Sequence, residues 1–232
     1  MNRTATLRTL LMSLLVSAPG SLLASEDEPD GPGENVAPVL GPASYRVVPD
    51  KSELVVRTFK DGLAAKLAHD HVIKAGDVDG EIYFDPEHPE KSRVKVVVRA
   101  DKLILDNTSM RHRYGVPGFV SEGDLEKIRE AMTSKDQLWV EKHKTIEFVS
   151  TKVKRNEDLT YTVTGDFTLR GKTRPVTMTV MIDTFGDGLR GIGKVRLKQS
   201  DFGYEPYEAF LGAVKVKDEV ILHVNLIGRK PG

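Results

Sequence analysis

The chain has 232 residues, with 34 basic and 34 acidic side chains and no cysteine. A chain of this length can bury a core without covalent staples, and the absence of cysteine excludes disulfides, a thiol nucleophile, thiolate metal sites and a lipoprotein anchor. Residues 1–34 hold two basic and five acidic side chains, so the remainder carries 32 and 29. That small balance of +3 gives no reason to expect a nucleic-acid partner.

The first 43 residues predict a targeting segment followed by a linker. In residues 1–25, Arg3 and Arg8 precede a short apolar run, and a cleavage position follows Ala24 or Ser25, which is typical of a secretory signal peptide. The run is too short for a comfortable transmembrane helix, so we expect no stable membrane span after cleavage. Residues 26–43 are rich in proline, glycine and acidic side chains and bury too little to fold.

Residues 44–229 then predict a single domain built from strands. Apolar and polar residues alternate along most of this region, as they do on strands with one buried face. The alternating segments are residues 54–59, 78–84, 94–100, 146–148, 161–169, 176–182, 195–197 and 220–226. Residues 161–182 form the clearest pair, a hairpin with its turn at residues 170–172 and Pro175 opening the second strand. About eight strands suit a closed barrel or a sandwich.

Between two of these strands the sequence predicts a loop and then one helix. Residues 107–118 are polar and contain glycine and proline, which indicates a loop. Residues 121–133 predict a helix capped by Ser121, with Leu125, Ile128 and Met132 on one face. We expect this helix to pack near one end of the barrel and to limit ligand entry. The alternative is that it only packs on the barrel wall.

The hairpin motif at residues 167–176, Phe-Thr-Leu-Arg-Gly-Lys-Thr-Arg-Pro-Val, resembles the central motif of the YceI-like family. Four more pieces resemble the family in the right order: residues 45–52, 139–148, 200–203 and 211–220. The resemblance implies an all-β fold: a closed antiparallel lipocalin-like β-barrel of about eight strands with one inserted α-helix. It also implies an elongated apolar cavity holding a polyisoprenoid or quinone-like chain. The His-Asp-His segment at residues 69–71 departs from the common pattern and suggests a variant branch.

Several inward residues have two interpretations. Phe148, Phe167, Met178 and Phe202 could fill a solid core or line a ligand cavity. The resemblance favours a lining, with His71 as a further ligand-binding candidate, and the flexible thioether of Met178 suits a surface that conforms to a chain. Three aromatic residues near a loop could guard an opening: Tyr204, Tyr207 and Phe210.

His69 and His71 are the strongest candidates for chemistry. If this segment is extended, both rings lie on one side, about 7 Å apart. Zinc or copper would then need a third ligand from elsewhere, such as His112 or Asp201. The simpler interpretation is that these histidines form hydrogen bonds at the barrel rim or line a polar end of the pocket. No phosphate loop, dinucleotide loop or nucleophile elbow occurs in residues 161–226, and we expect no enzyme.

Three hypotheses follow. The first is a periplasmic binding protein whose partner is a lipophilic small molecule, an isoprenoid-chain lipid or quinone, with no other cofactor. The second is a metal-binding protein or metal-dependent enzyme that uses His69 and His71. The third is a stress-related interaction domain with a solid core and no ligand, whose partner contacts residues 107–135. The sequence leaves a homodimer open.

Overall fold

The computed structural model describes residues 41–232, so the predicted signal peptide and nearly all of the predicted linker lie outside the described residues. Within residues 41–232 there are fourteen strands and two α-helices. The strands are β1 (Ala43–Val47), β2 (Glu53–Thr58), β3 (Lys60–Asp61), β4 (His71–Ala75), β5 (Val78–Phe84), β6 (Arg93–Arg99), β7 (Leu103–Leu105), β8 (Thr145–Arg155), β9 (Tyr161–Leu169), β10 (Lys172–Phe185), β11 (Gly188–Lys198), β12 (Glu208–Ala209), β13 (Val214–Val216) and β14 (Glu219–Arg229). The helices are α1 (Thr108–Arg113) and α2 (Glu122–Thr133). Short 3-10 turns lie at Pro49–Lys51, Ala65–Leu67, Pro89–Lys91, Ala100–Lys102 and Ser200–Phe202.

Eight long strands form a closed antiparallel barrel. Three of them are bent and interrupted, so each consists of two successive halves: β1 with β2, β4 with β5, and β6 with β7. The pairings show this, because β5 pairs with β1 and β6, while β4 pairs with β2 and β7. The chain then meanders through β8, β9, β10, β11 and β14, each bonded to the one before. β14 closes the ring by pairing with both β1 and β2. The predicted closed barrel of about eight strands is confirmed.

The two ends of the barrel differ. At one end the connections are short, residues 85–92, 156–160 and 186–187. Aromatic side chains plug this closed end: Tyr45, Phe84 and Tyr161 are all buried, and the rings of Phe84 and Tyr161 meet edge to face at 5.4 Å between centroids. At the other end, the mouth, three connections are long, residues 59–70, 106–144 and 199–218, and the fourth is the tight turn at residues 170–171. Strand β13 pairs with β3 and β12, so the first and last of these connections are joined in one small sheet.

The predicted helix is confirmed as α2. The hydroxyl of Ser121 accepts a hydrogen bond from the backbone N–H of Asp124 at 3.2 Å, which is the capping that the sequence predicts. No helix within residues 41–232 is long and apolar enough to cross a membrane.

The prediction of a loop throughout residues 107–118 was wrong, because α1 forms there. Asn107 caps it by accepting a hydrogen bond from the backbone N–H of Ser109. Met110 packs with Val116 against the outer face of the barrel, where Val55 and Val72 are completely buried. A helix of six residues offers too few turns for a periodic pattern, so packing rather than propensity defines it.

Gly165 on β9 has no side chain, which allows the Phe148 ring of neighbouring β8 to lie against it. A Cβ atom at Gly165 would lie 2.5 Å from Phe148 Cζ and 2.5 Å from the Val149 carbonyl oxygen. We expect Gly165→Ala to lower the free energy of unfolding by about 1–3 kcal/mol through overpacking. The control is Gly191→Ala, since a Cβ there would meet only Val180 Cγ1, at 3.6 Å. Urea unfolding of both variants checks this, and equal stability would contradict the packing described.

Candidate functional site

An elongated cavity of about 410 Å³ lies inside the barrel. Most of its lining consists of the inward aliphatic and aromatic side chains of the strands, including Val96, Ile146, Val163 and Val180. On β11 both Leu189 and Leu197 line it. These two residues are eight apart, which corresponds to about 26 Å along a strand. The cavity therefore follows much of the barrel's length and lies within the range of volumes that small-ligand sites occupy.

The structure brings all five predicted ligand-binding residues together in this lining: His71, Phe148, Phe167, Met178 and Phe202. Phe167 and Phe202 meet edge to face, with ring centroids 5.5 Å apart. Because these side chains surround an open volume, the solid core of the third hypothesis is not what the barrel contains. Their contact with a ligand stays a prediction.

The mouth of the cavity is covered by α2 and by the connection between β11 and β14. From α2, the side chains of Lys127, Ile128, Ala131 and Met132 reach the lining. Tyr204 and Tyr207 line it from the other connection. Two residues differ from expectation: Leu125 is half-buried without reaching the cavity, and Phe210 is 79% exposed.

Arg170, in the tight turn between β9 and β10, fastens these covering segments to the barrel. Its Nη1 donates to the Gly203 carbonyl oxygen and its Nη2 to the Lys135 carbonyl oxygen, both at 2.7 Å. The guanidinium also lies 5.8 Å from the ring centroid of Trp139 and 5.7 Å from that of Tyr204. Burial raises the pKa of the Tyr204 phenol. The central sequence motif thus holds the two longest mouth connections in place.

A buried polar network lies at the same end. The Nδ1 atom of His71 is 2.6 Å from Asp106 Oδ2, while Asp106 Oδ1 accepts hydrogen bonds from the backbone N–H of Val72 at 2.9 Å and from Arg111 Nη1 at 2.7 Å. Burial alone would raise the pKa of Asp106, but the bonds from His71, Val72 and Arg111 outweigh it and the pKa of this carboxyl is lowered. Asp106 is therefore an ionised acceptor, and Nδ1 of His71 carries the donated proton.

Arg111 anchors this network to the mouth connections. It is 3% exposed and also donates to the carbonyl oxygens of Asp70, Pro117 and Gly118. Asp106 has a left-handed backbone with φ of 48°, a conformation that aspartate tolerates better than most residues. Both partners are held from several directions, so the ring of His71 has a fixed orientation.

His69 is not brought beside His71. Strand β4 begins at His71, so the two residues do not share one extended segment, and His69 is exposed while His71 lines the cavity. The Asp70 carboxylate accepts a hydrogen bond from the backbone N–H of Lys60. His112 and Asp201 are both exposed. Within the part of the chain that the structure describes, no three His, Asp or Glu side chains are placed to hold a metal.

Thr58 is the cross-strand partner of His71 and also lines the cavity. Its side chain is in the buried class, and among residues 41–232 its hydroxyl oxygen has no hydrogen-bond partner. Sequence reasoning missed Thr58, Asp106 and Arg111. Asp106 ends a short apolar run, but nothing in the sequence connects it with His71, which is 35 residues away.

An unpartnered buried hydroxyl costs stability in the ligand-free protein. We expect Thr58→Val to raise the free energy of unfolding of ligand-free protein by about 1 kcal/mol, because the change removes that hydroxyl at nearly constant volume. The matched control is Thr179→Val, which makes the same change at an exposed position of β10. Urea unfolding measures both. A Thr58→Val protein less stable than the control variant would show that this hydroxyl has a partner inside the protein.

Comparison with known proteins adds the family. The model of the YceI-like domain matches residues 45–227. A UPF0312 protein of Photorhabdus laumondii is 28% identical over 162 residues, covering 66% of this chain and 72% of that protein. A UPF0312 protein of Pseudomonas aeruginosa is 30% identical over 154 residues, covering 64% and 69%.

Two solved structures share the fold. BcnA of Burkholderia cenocepacia superposes with a TM-score of 0.62 at 18% identity, covering 78% of this chain and 98% of that one. A polyisoprenoid binding domain from Saccharophagus degradans superposes with a TM-score of 0.52 at 11% identity, covering 81% and 98%. At sequence identities this low, the superpositions show a common barrel architecture and nothing more.

Proposed function

The chain belongs to the YceI-like domain family, and on that premise we propose that it is a binding protein whose barrel holds an isoprenoid-chain lipid or a quinone-like amphiphile. The observation that carries the proposal is the elongated apolar cavity, plugged by aromatic rings at one end and covered by loops and α2 at the other. The Saccharophagus degradans domain with the same architecture, a polyisoprenoid binding domain, supports the choice of ligand class. The proposal requires no bond to be made or broken.

The size of the inward side chains determines whether the barrel can hold a ligand. An eight-stranded barrel is just wide enough either to be filled by its side chains or to hold one small ligand. Along β11 an inward glycine, Gly191, lines the cavity and leaves room that a larger side chain would occupy. A bound chain would gain about 0.8 kcal/mol for each buried CH₂ group, partly offset by its lost flexibility. The cavity therefore favours a long, flexible hydrocarbon chain over a compact polar molecule.

The proposed location is the periplasm. Its support is the predicted signal peptide at residues 1–25, which lies outside the described residues, together with the family. A carrier in that compartment would shield an apolar chain from water between membranes.

Filling the cavity tests the proposal. We expect Gly191→Phe to weaken binding of geranylgeraniol, a C20 prenyl alcohol, by at least about tenfold, because the new ring occupies the ligand's volume. Displacement of the fluorescent apolar probe 1-N-phenylnaphthylamine measures the affinity. The matched control is Met181→Phe, which adds the same ring at a 56% exposed position on neighbouring β10. If the folded Gly191→Phe protein binds as well as the control, the ligand lies elsewhere and the proposal fails.

The position of α2 generates a kinetic prediction. Ile128 and Met132 reach the cavity from this helix, so their replacement by serine should loosen its contact with the mouth. We expect ligand release to become several-fold faster with little change in strand content, because a cover acts on the rate of release more than on the cavity.

Stopped-flow release of 1-N-phenylnaphthylamine measures the rate, and circular dichroism measures the strand content. Glu126→Ser is the control, since Glu126 is exposed on the same helix. An unchanged release rate in a folded variant would show that α2 packs on the wall without limiting entry. Loss of the barrel signal would show that α2 belongs to the core.

A further inference from the structure

We infer that His71 and Thr58 form a site for the polar end of the ligand, and that this site selects a head group carrying a hydroxyl. The inference rests on the proposed function and adds the orientation of the ligand and the chemistry of its head. The apolar chain would extend toward the closed end of the barrel, and the hydroxyl would lie near the mouth.

The first observation is the fixed orientation of the His71 ring. Asp106 accepts a hydrogen bond from Nδ1, and Asp106 is itself held by the Val72 N–H and by Arg111. In the neutral ring, Nε2 is then an acceptor. Nε2 has no hydrogen-bond partner among residues 41–232, and His71 lines the cavity. The network therefore presents an acceptor for a ligand at a defined place.

The second observation is the Thr58 hydroxyl. Thr58 pairs with His71 across β2 and β4, and both residues line the cavity, so their side chains are neighbours on one face of the sheet. Thr58 is only 9% exposed, and its oxygen lacks a partner within the described part of the chain. Buried hydroxyls are almost always bonded, so a ligand atom is a natural partner for this one.

Three other polar side chains at the mouth, Gln137, Gln199 and Lys198, are already engaged or exposed. Gln137 donates to the Glu205 carbonyl oxygen at 3.0 Å, and Gln199 donates to the Lys217 carbonyl oxygen at 2.8 Å. Lys198 is exposed. Thr58 and His71 are thus a neighbouring pair in the lining with hydrogen-bonding capacity left for a ligand.

The two atoms together specify the head group. A ligand hydroxyl can donate to His71 Nε2 and accept from the Thr58 hydroxyl at the same time. A carbonyl or ether oxygen can accept from Thr58 but gives Nε2 no proton. A prenyl alcohol or a hydroquinone therefore satisfies both atoms, whereas an ether or a quinone satisfies one.

The test compares geranylgeraniol with its methyl ether, which keeps the oxygen and the chain but loses the donor. Affinities are measured by displacement of 1-N-phenylnaphthylamine. We expect the wild-type protein to prefer the alcohol about tenfold, because one buried hydrogen bond is lost with the ether. His71→Phe should reduce that preference to within about threefold while binding the ether nearly as tightly as wild type, because the acceptor that only the alcohol can use is removed. Thr58→Val should weaken binding of both probes by about tenfold and keep the preference, because both oxygens lose the bond from the Thr58 hydroxyl. Thr179→Val is the control and should leave both affinities unchanged.

The outcomes distinguish failure of the polar site from failure of the proposed function. An alcohol preference that persists in folded His71→Phe protein overturns the polar site, as does a wild-type protein that binds the two probes equally well. Thr58→Val leaves the Asp106 network untouched, so it keeps the test decisive if His71→Phe fails to fold: a Thr58→Val protein that binds both probes as tightly as wild type also overturns the polar site. If wild-type protein binds neither probe, the proposed function fails and the inference falls with it.

Discussion

The pairing of β14 with both halves of the first long strand is the interaction on which the rest of the structure depends. These backbone hydrogen bonds close the meander into a ring. Closure also fixes which side chains face inward, because alternate residues of every strand then point to one enclosed volume. With eight strands that volume is narrow, and modest inward side chains such as Gly191 and Val163 leave a cavity instead of a filled core.

The asymmetry between the barrel ends gives this cavity a direction. Short turns and buried aromatic rings close one end, while three long connections cover the other. Polar groups concentrate at the covered end, where Arg170 fastens the connections and Asp106 with Arg111 fixes His71. A buried arginine and aspartate are costly unless both are fully bonded, and here each has several partners. Such a network suits the recognition of one polar end of an otherwise apolar molecule.

The barrel could be predicted from the sequence because period-two alternation is a local signal, and the cap at Ser121 made α2 equally visible. The short helix α1 could not be predicted from the sequence, since only its packing on Val55 and Val72 defines it. Phe148 and Phe167 in the lining followed from strand parity together with the family motif, whereas Phe202 lies in a 3-10 turn and followed from the family resemblance alone. The hydrogen-bond partner of His71 could not be predicted, because Asp106 lies 35 residues away and comes close to His71 only when β4 pairs with β7. Residues 139–148 resemble the family's middle strand, but β8 begins only at Thr145, and Trp139 lies before it with φ of 47°.

The central claim is that the barrel carries an isoprenoid-chain lipid. Native mass spectrometry of the full chain, exported in a bacterial host and purified without detergent, tests this most directly when the released ligand is then fragmented. We expect a one-to-one complex whose ligand yields a ladder of five-carbon losses. Protein that is homogeneous and empty, and that stays empty when mixed with extracted prenyl lipids, would contradict it.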